Sequence, residues 1–385
     1  MTPSAKPQYD VIVLGVGAMG SSACYHLAKA GKTVLGLEQY GVAHSLGSSH
    51  GKTRMVRKAY FEHPNYVPLL HRSYELWDEL GAAVGRSLFH RSGVIVLGPE
   101  AKAEGVDVLA GVKASATEHN LPIEVLSREE CHKRFPCIHV LEGYVGVYEA
   151  DAGYVEVEAA ITAYIDQARK HGADLRFEER VLSWQSLPDG TVTVTTAHGI
   201  FTASRLVVTA GAWSSSVLAT PSLQVQVHRV PLFWYEPAPT AEGQLIMTTT
   251  MPCFAIDLPT GFVYGFPYAK GEGMKIAPHV PGATIDNPAA LHREVLPGEV
   301  DPVRTCVNSC FPGLQEHPAT SAVCMYTMSK DGNFIIDTHP DYTNVVFAAG
   351  FSGHGYKFAP VIGEILCDLA LSGTTAHPIE FLRLR

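Results

Sequence analysis

Short apolar runs along the chain predict buried strands, and the first of them opens a familiar unit. Val11-Ile12-Val13-Leu14 is apolar and β-branched, as a strand covered on both faces should be. The next stretch carries apolar residues at helical spacing and ends at Gly31, where a helix C-cap is expected. Residues 33–37 then predict a second strand, with Glu38 at its end. Together these segments predict a strand–helix–strand unit of about thirty residues.

The later patterns mix helices and strands. Residues 64–81 repeat apolar positions on successive turns and predict a helix. Strand patterns return at residues 93–97, 191–194, 206–208 and 344–349. The last of these leads through a glycine-rich turn into an apolar helix, whereas residues 220–320 favour strands and loops. This mixture predicts a combined α/β and α+β fold with two interleaved domains.

The composition predicts a folded protein outside the membrane. Of 385 residues, 46% are hydrophobic, and 29 Lys and Arg against 38 Asp and Glu give a net charge of −9. Because the basic residues are scattered, neither nucleic acid nor an anionic membrane is expected as a partner. No apolar stretch approaches the roughly 18 residues of a bilayer span. The eight cysteines form no Cys-x-x-Cys pair, so we expect reduced thiols and no metal site.

The two ends of the chain favour an unsecreted, cytoplasmic protein. The opening Met1-Thr2-Pro3-Ser4-Ala5-Lys6-Pro7-Gln8 has no apolar signal core. The closing Arg383-Leu384-Arg385 lacks the Ser-Lys-Leu address of peroxisomal proteins. Together with the reduced thiols, these ends lead us to expect a cytoplasmic enzyme.

The first strand is followed by the glycine fingerprint of a dinucleotide site. Gly15 permits a tight turn, Gly17 lets the backbone approach a pyrophosphate, and Gly20 lets helix and strand pack closely. The helix N-terminus offers free N–H groups to the phosphates, and Glu38 is placed to bind a ribose hydroxyl. The alternative is a glycine-rich turn with an incidental acid. The fingerprint by itself does not separate NAD from FAD.

A second strand–glycine–helix junction near the C-terminus favours a flavin. Gly350-Phe351-Ser352-Gly353-His354-Gly355 lies between the strand at 344–349 and the apolar helix. A helix N-terminus aimed at the N1/C2 carbonyl edge of a flavin would stabilise the negative charge of the reduced ring. An NAD dehydrogenase does not require this second strand–glycine–helix junction. The alternative is an ordinary turn that packs a helix, which would show a similar sequence.

With these motifs the chain resembles the monomeric sarcosine oxidase family, which includes N-methyltryptophan, pipecolate and peroxisomal sarcosine oxidases. The resemblance runs nearly end to end and rests on the glycine fingerprint together with Gly47-Ser48-Ser49-His50-Gly51-Lys52-Thr53-Arg54, Tyr264-Gly265-Phe266-Pro267, Cys324-Met325-Tyr326-Thr327, Phe334-Ile335-Ile336-Asp337 and Gly350-Phe351-Ser352-Gly353-His354-Gly355-Tyr356-Lys357-Phe358. It implies a Rossmann-type, glutathione-reductase-like FAD-binding domain over residues 1–88, 146–219 and 321–385. A mainly antiparallel β substrate domain would take residues 89–145 and 220–320.

The resemblance also implies FAD bound covalently through Cys324, because a thiolate can add to the 8-methyl position of the ring. The other seven cysteines match no such motif and are expected to be structural. The positions implied to contact the cofactor are Gly15, Gly17, Gly20, Glu38, His50, Arg54, Val181, Cys324, Gly353 and Lys357.

For the substrate, the resemblance implies that Arg57 and Lys357 bind an amino acid carboxylate, Arg57 through two parallel hydrogen bonds. Lys275 matches the lysine near flavin N5 that activates oxygen, where a fixed cation stabilises superoxide. The resemblance also implies active-site positions at Tyr264, His279, His354 and Arg54. The alternative for the histidines is a structural role, which is common for a lone histidine. The alternative to carboxylate binding is that Arg57 belongs to a solvated basic patch. The alternative to oxygen activation is that the side chain of Lys275 reaches the surface.

The implied function is FAD-dependent oxidation of a secondary amino acid such as sarcosine, with O2 as acceptor, by a monomer. Ser49, Pro278 and Ala255 depart from the sarcosine oxidase pattern, and Ala255 replaces a methionine against the substrate's methyl group. A cyclic or bulkier amine, such as pipecolate or N-methyltryptophan, is therefore an open alternative. A dehydrogenase using a quinone or carrier protein, a non-catalytic FAD redox sensor, and an NAD dehydrogenase are further alternatives.

Overall fold

The computed structural model describes residues 8–102, 106–220 and 222–385. The expectation that no signal core is present falls almost wholly on residues 1–7, outside the described residues. The strands are β1 (Tyr9–Leu14), β2 (Val34–Leu37), β3 (Thr53–Val56), β4 (Phe89–His90), β5 (Val94–Pro99), β6 (Glu124–Leu126), β7 (Tyr144–Glu149), β8 (Gly153–Glu156), β9 (Asp174–Arg176), β10 (Val181–Ser186), β11 (Val192–Thr196), β12 (Ile200–Val208), β13 (Val225–Tyr235), β14 (Cys253–Leu258), β15 (Gly261–Gly265), β16 (Met274–Pro278), β17 (Thr284–Ile285), β18 (Thr320–Ser329), β19 (Ile335–His339) and β20 (Tyr342–Ala349). The helices are α1 (Ala18–Lys29), α2 (Val67–Val84), α3 (Val108–Glu118), α4 (Arg128–Arg134), α5 (Val157–Lys170), α6 (Ser214–Leu218), α7 (Ala241–Thr248), α8 (Asp301–Cys310) and α9 (Ala359–Ser372).

The first sheet has a parallel centre of the Rossmann type. Strand β1 pairs in parallel with β2 on one side and β12 on the other, and β12 pairs in parallel with β20. Residues 11–14 are buried, as expected for a strand covered on both faces. Helix α1 packs against α5 and α9. An antiparallel meander, β10–β11–β12, extends the sheet at one edge.

The second sheet is mainly antiparallel and has strand order β17-β13-β16-β15-β14-β5-β7-β6, with β18 paired to the other side of β13. Its β14 and β5 are parallel neighbours. Phe254, Ile276 and Phe311 belong to a buried apolar cluster that includes residues of α8. The mixed fold class predicted from the sequence is confirmed by this pair of sheets, while the domain boundaries stay a prediction.

The register of the second sheet brings two distant residues to one face. Cys324 on β18 lies opposite Val230 on β13, and Lys275 on β16 lies opposite Trp234 on the same strand. Residues directly opposite one another share a face, and side chains four positions apart on a strand point the same way. Cys324 and Lys275 therefore project from the same face, even though they are far apart in sequence.

A third, small sheet carries the basic segment. Strand β3 pairs with β8, which also pairs with β4. The loop before β3 turns at Gly51 and Lys52, whose φ angles are 90° and 70°. This left-handed backbone is accessible to glycine and strained for lysine. The turn leads into β3, where Arg54 Nη2 lies 3.6 Å from Cys324 Sγ of the second sheet.

The helix predicted over residues 64–81 differs slightly from the structure. A short 3-10 turn, Pro64–Tyr66, precedes α2, which continues to Val84. Gly81 does not end the helix; the end comes at Gly85, which adopts the left-handed conformation with φ 74°. Within the described ranges, every helix is too short or too polar to cross a membrane.

Candidate active site

The glycine turn after β1 is shaped by close backbone packing. Gly15 has φ 87°, and a Cβ there would lie 2.6 Å from the carbonyl oxygen of Thr209. A Cβ on Gly20 would overlap the carbonyl oxygen of Gly15. Around Gly17 there is more room, because Ser49 Oγ, the nearest atom to an added Cβ, is 3.9 Å away. The turn thus packs tightly on one side and leaves space beside Gly17 for a phosphate group.

Glu38 is fixed at the end of β2 by two backbone amides. Its Oε2 accepts a hydrogen bond from Val16 N at 2.9 Å, and its Oε1 accepts one from Tyr40 N at 3.0 Å. His44 Nε2 lies 3.3 Å from Oε1. Since each carboxylate oxygen has two acceptor sites, the anchored Glu38 retains capacity for a ribose hydroxyl.

A long cavity of about 930 Å³ runs from the glycine turn to the loop after β20. Its lining includes six of the residues predicted to bind the cofactor: Gly15, Gly17, Glu38, Arg54, Val181 and Gly353. Thr327, from the motif around Cys324, also lines it, and its Oγ1 is buried with no hydrogen-bond partner among the described residues. The volume of the cavity, the open side of Gly17 and the unpaired hydroxyl fit a flavin adenine dinucleotide.

A second cavity of about 60 Å³ adjoins the first, since Arg54, Gly353 and Tyr356 line both. It collects most of the predicted substrate residues. Its lining is formed by Arg54, Met55, Arg57, Phe61, Glu62, Ala255, Phe262, Tyr264, His279, Gly353, His354, Tyr356 and Lys357. The alternative of a solvated basic patch does not describe Arg57, which is 5% exposed.

Arg57 already holds a carboxylate, that of Glu62. Its Nη2 donates to Oε1 at 2.8 Å and to Oε2 at 2.7 Å, while its Nη1 donates to the carbonyl oxygen of Ala59 at 2.8 Å. Burial raises the pKa of Glu62, but Arg57 and the other nearby positive groups outweigh burial and bring it to about 2. The sequence analysis did not identify Glu62. The available signal was its position shortly after the basic segment, where a carboxylate can pair with Arg57.

Lys357 is a second buried cation in the same wall. Its Nζ donates to His354 O at 2.9 Å, and its backbone carbonyl accepts hydrogen bonds from Ser73 Oγ and Trp77 Nε1 on α2. Burial lowers the pKa of Lys357 to about 7, with Arg57 acting in the same direction and Glu62 opposing. Its charge is therefore sensitive to pH near neutrality.

The histidines of the small cavity are neutral at pH 7. Burial lowers the pKa values of His279 and His354 to about 4. His279 Nδ1 lies 3.2 Å from Tyr326 Oη, and its ring meets that of Tyr264 edge-on with centroids 5.9 Å apart. Burial also raises the pKa of Tyr264, which keeps its phenol protonated. Next to the charged Arg54, Arg57, Glu62 and Lys357, the cavity lining thus also contains polar side chains that are uncharged at pH 7.

Four predicted residues lie behind the cavity walls. Gly20 packs within the turn. Lys275 is buried and donates to the carbonyl oxygens of Gly51 at 2.7 Å and Thr53 at 2.8 Å, so it does not reach the surface. Burial lowers its pKa well below the usual value. His50 is buried beside the same loop, and its Nε2 finds no partner among the described residues.

Cys324, the fourth, lies against the arginine shared by both cavities. Arg54 Nη2 is 3.6 Å from Cys324 Sγ and donates to Ser48 O at 3.1 Å. The thiol itself lies 3.5 Å from Ser48 O. The geometry therefore places the Cys324 sulfur beside Arg54, which lines both cavities.

The comparisons with known proteins identify the class. A family model described as FAD dependent oxidoreductase matches residues 10–369. The chain belongs to this family. Its membership confirms the predicted oxidoreductase class and FAD as the cofactor, which supplies two-electron chemistry when bound.

The relatives confirm the resemblance found in the motifs. The chain is 40% identical over 378 residues to a monomeric sarcosine oxidase of Streptomyces avermitilis, covering 97% of this chain and 96% of that protein. It is 36% identical over 394 residues to an N-methyl-L-tryptophan oxidase of Salmonella typhimurium, covering 98% of each.

Solved structures share the fold. NikD, an amino acid oxidase of nikkomycin biosynthesis, superposes with a TM-score of 0.85 at 24% identity, covering 98% of this chain and 97% of that one. Glycine oxidase from Geobacillus kaustophilus gives 0.79 at 22% identity, covering 99% of each chain. At these identities the likeness concerns the arrangement of sheets and helices.

Raising the pH through about 7 is expected to weaken the binding of a small carboxylate at the smaller cavity. Lys357 is cationic below its pKa of about 7 and neutral above it, so the attraction for an anion is lost as the pH rises. Glu62, His279 and His354 have pKa values of about 2, 4 and 4 and keep one charge state near neutrality. The dissociation constant of methoxyacetate, followed by flavin absorbance, should rise up to about tenfold per pH unit.

The matched variants separate Lys357 from general pH effects. Lys357→Met should weaken binding at low pH and flatten the dependence. Lys102→Met should preserve it, because neither that lysine nor its partner Asp257 is among the described lining residues of the smaller cavity. An unchanged pH dependence in Lys357→Met would contradict the assignment.

Proposed function

We propose that the protein oxidises a secondary amino acid, such as sarcosine, with FAD as cofactor and O2 as the final acceptor. The observation that carries this function is the pair of buried cations, Arg57 and Lys357, beside the junction of the two cavities. Bound FAD would supply the two-electron acceptor for the substrate, and O2 would take up these two electrons with two protons to give hydrogen peroxide. The imine product then takes up water and, from sarcosine, yields glycine and formaldehyde. The similarity to a monomeric sarcosine oxidase supports the same reaction.

In this function Arg57 and Lys357 bind the substrate carboxylate and orient the adjacent C–H bond. Arg57 now binds both carboxylate oxygens of Glu62 through one nitrogen, Nη2, so the substrate carboxylate competes with that side chain. An ammonium has three donors, and Lys357 directs two of them to His354 O and Tyr60 Oη. The third remains for a ligand. Arg57 and Lys357, whose N–H donors differ in geometry, thus define one position for the substrate carboxylate.

The site favours the neutral form of the substrate amine, which is the reactive form because its lone pair supports loss of the C–H bond. A protonated amine would add positive charge to a cavity that Arg54, Arg57 and Lys357 already line, where Glu62 is the single carboxylate among the described lining residues. His279 and His354 are uncharged at pH 7 and do not compensate it. Tyr264 and His279 line the space beside the amine in this proposal.

The size of the cavity favours a small substrate. About 60 Å³ is enclosed, and the rings of Phe61 and Phe262 meet edge-on with centroids 5.4 Å apart on one side. Ala255 on β14 presents only a methyl group to the cavity. Pipecolate or N-methyltryptophan is the second candidate, because Ala255 leaves room that a larger side chain would fill and a relative is an N-methyl-L-tryptophan oxidase.

We further propose a covalent bond between FAD and Cys324 Sγ. The contact between Arg54 and this sulfur and its position beside the cavity support the proposal. Lys275 is proposed to stabilise the negative charge that forms as O2 is reduced. Its burial and its place on the same sheet face as Cys324 support that role.

We also propose a monomer in the cytoplasm. All eight cysteines are buried free thiols, as is common in a reducing compartment. The net charge of −9 favours a soluble chain that repels its own copies. Gel filtration with light scattering is the direct measurement of the monomer.

Anaerobic mixing with candidate substrates tests the function. The purified yellow holoenzyme is mixed with sarcosine, pipecolate or N-methyltryptophan, and the loss of flavin absorbance is followed. We expect rapid bleaching by sarcosine, and peroxide in step with substrate consumed once air is admitted. Bleaching by none of them in a flavin-loaded sample would refute oxidation of secondary amino acids; bleaching without peroxide would indicate a dehydrogenase.

Acid precipitation tests the covalent bond. The parent protein should give a yellow pellet, whereas Cys324→Ala should release its flavin and give a colourless pellet with a yellow supernatant. Cys253→Ala, which changes a buried free cysteine of the same sheet, serves as the control and should keep the yellow pellet. Release of flavin from the parent would contradict attachment.

Replacing Lys275 tests its role with oxygen. Lys275→Met should slow the reoxidation of reduced flavin by about 100-fold or more, because one preorganised charge is lost from a dry site, while the anaerobic bleaching rate changes much less. Lys52→Met removes an exposed lysine of the neighbouring turn and is the control. Equal reoxidation in Lys275→Met and the parent would rule the role out.

A further inference from the structure

We propose that Tyr60 is a positioning residue for the two carboxylate-binding cations: its ring supports Arg57 and its hydroxyl directs Lys357. The proposal rests on the proposed function, in which these cations bind the substrate carboxylate. Tyr60 is buried and does not belong to the described lining of the smaller cavity, so it acts through its neighbours. Neither the composition nor the motifs singled it out.

The hydrogen bonds around the Tyr60 hydroxyl have a defined direction. His354 Nε2 lies 3.0 Å from Gly332 O, which only accepts, so Nε2 carries the ring proton. Because His354 is neutral, its Nδ1 is then an acceptor, and Tyr60 Oη donates to it at 2.6 Å. The phenol oxygen is left to accept from Lys357 Nζ at 3.4 Å. The donors run in one direction, from Lys357 through Tyr60 and His354 to Gly332 O.

This chain fixes the orientation of the ammonium. Lys357 Nζ has one acceptor in its own turn, His354 O at 2.9 Å, and one in Tyr60. With two of its three N–H groups assigned, the third has a preferred direction. Without the phenol oxygen the ammonium could rotate about its first contact, and a neighbouring acceptor that stabilises its charge would be gone.

The ring of Tyr60 supports the second cation. The guanidinium carbon of Arg57 lies 4.5 Å from the Tyr60 centroid and 4.4 Å from that of Phe61. Both distances are within the range of cation–π attraction. Lys357 Nζ is 4.9 Å from the Tyr60 centroid. One buried side chain therefore contacts both cations and sets their separation.

Tyr60 itself is held in place by its surroundings. Its ring packs edge-on against Tyr66 and Phe358, with centroids 5.3 and 5.4 Å away. Its backbone carbonyl accepts a hydrogen bond from Ser115 Oγ on α3 at 2.5 Å. These contacts are made by the ring and backbone, so removing the hydroxyl leaves them available. The hydroxyl can therefore be tested separately from packing.

Tyr60→Phe in the FAD-loaded protein is the test. Methoxyacetate, the ether counterpart of sarcosine, and its uncharged amide, methoxyacetamide, are titrated by flavin absorbance. Loss of the phenol oxygen should lower the affinity for methoxyacetate about tenfold, because a hydrogen bond to a charged group is removed. The affinity for methoxyacetamide should change less than about twofold. The pH midpoint for methoxyacetate binding should also move lower, since the Lys357 ammonium loses an acceptor.

Tyr66→Phe is the matched control, because Tyr66 is buried in the same aromatic cluster and its hydroxyl contacts Asn333 and the backbone of Phe334 instead of a cation. It should change both affinities less than about twofold. In a Lys357→Met background, Tyr60→Phe should have little further effect on methoxyacetate, since coupled residues are non-additive. Equal weakening of acid and amide, or a full effect in that background, would overturn the positioning role.

The outcome is separable from that of the proposed function. If the parent oxidises sarcosine while Tyr60→Phe binds methoxyacetate as the parent does, the function stands and the role of Tyr60 is refuted. If no secondary amino acid reduces the flavin while Tyr60→Phe selectively weakens methoxyacetate, the function is refuted and the positioning role stands.

Discussion

Positive charge buried at the junction of two cavities is the constraint on which the site depends. Removing a lone ion from water costs several kcal/mol, so each buried cation needs partners. Arg57 has Glu62 and two aromatic rings, Lys357 has a carbonyl and a phenol, and Lys275 has two carbonyls. The carbonyl partners carry no full negative charge, so an anionic substrate can still be attracted.

The interleaved chain supplies these charges from three parts of the fold. The small sheet and the segment after β3 provide Arg54 and Arg57, while the loop after β20 provides Lys357. The second sheet contributes Lys275 and Cys324 from strands on either side of β13. Arg54, Lys275 and Cys324 lie on paired strands, which hold side chains more exactly than loops do, whereas Arg57 and Lys357 lie beyond strand ends. The site also requires the first and second sheets to fold against one another.

The sequence predicted what local pattern determines. The glycine turn, Glu38 and the strand and helix types depend on short segments, and the family motifs marked Arg57 and Lys357. The sequence did not predict the roles of Glu62 and Tyr60, because these roles arise from contacts formed in three dimensions. A tyrosine next to apolar residues is usually interpreted as part of the core. The common face of Lys275 and Cys324 depends on strand register, which the hydrophobic pattern of a doubly buried sheet does not specify.

The central claim is that the buried cations select an amino acid through its carboxylate. Its most direct measurement is the anaerobic rate of flavin bleaching by sarcosine compared with sarcosinamide, which keeps the amine and the methyl group but has no negative charge. The account predicts that sarcosine reacts more efficiently by about 100-fold or more at subsaturating concentrations, since two charge-assisted contacts are lost with the amide. Comparable efficiencies for the two compounds would contradict it.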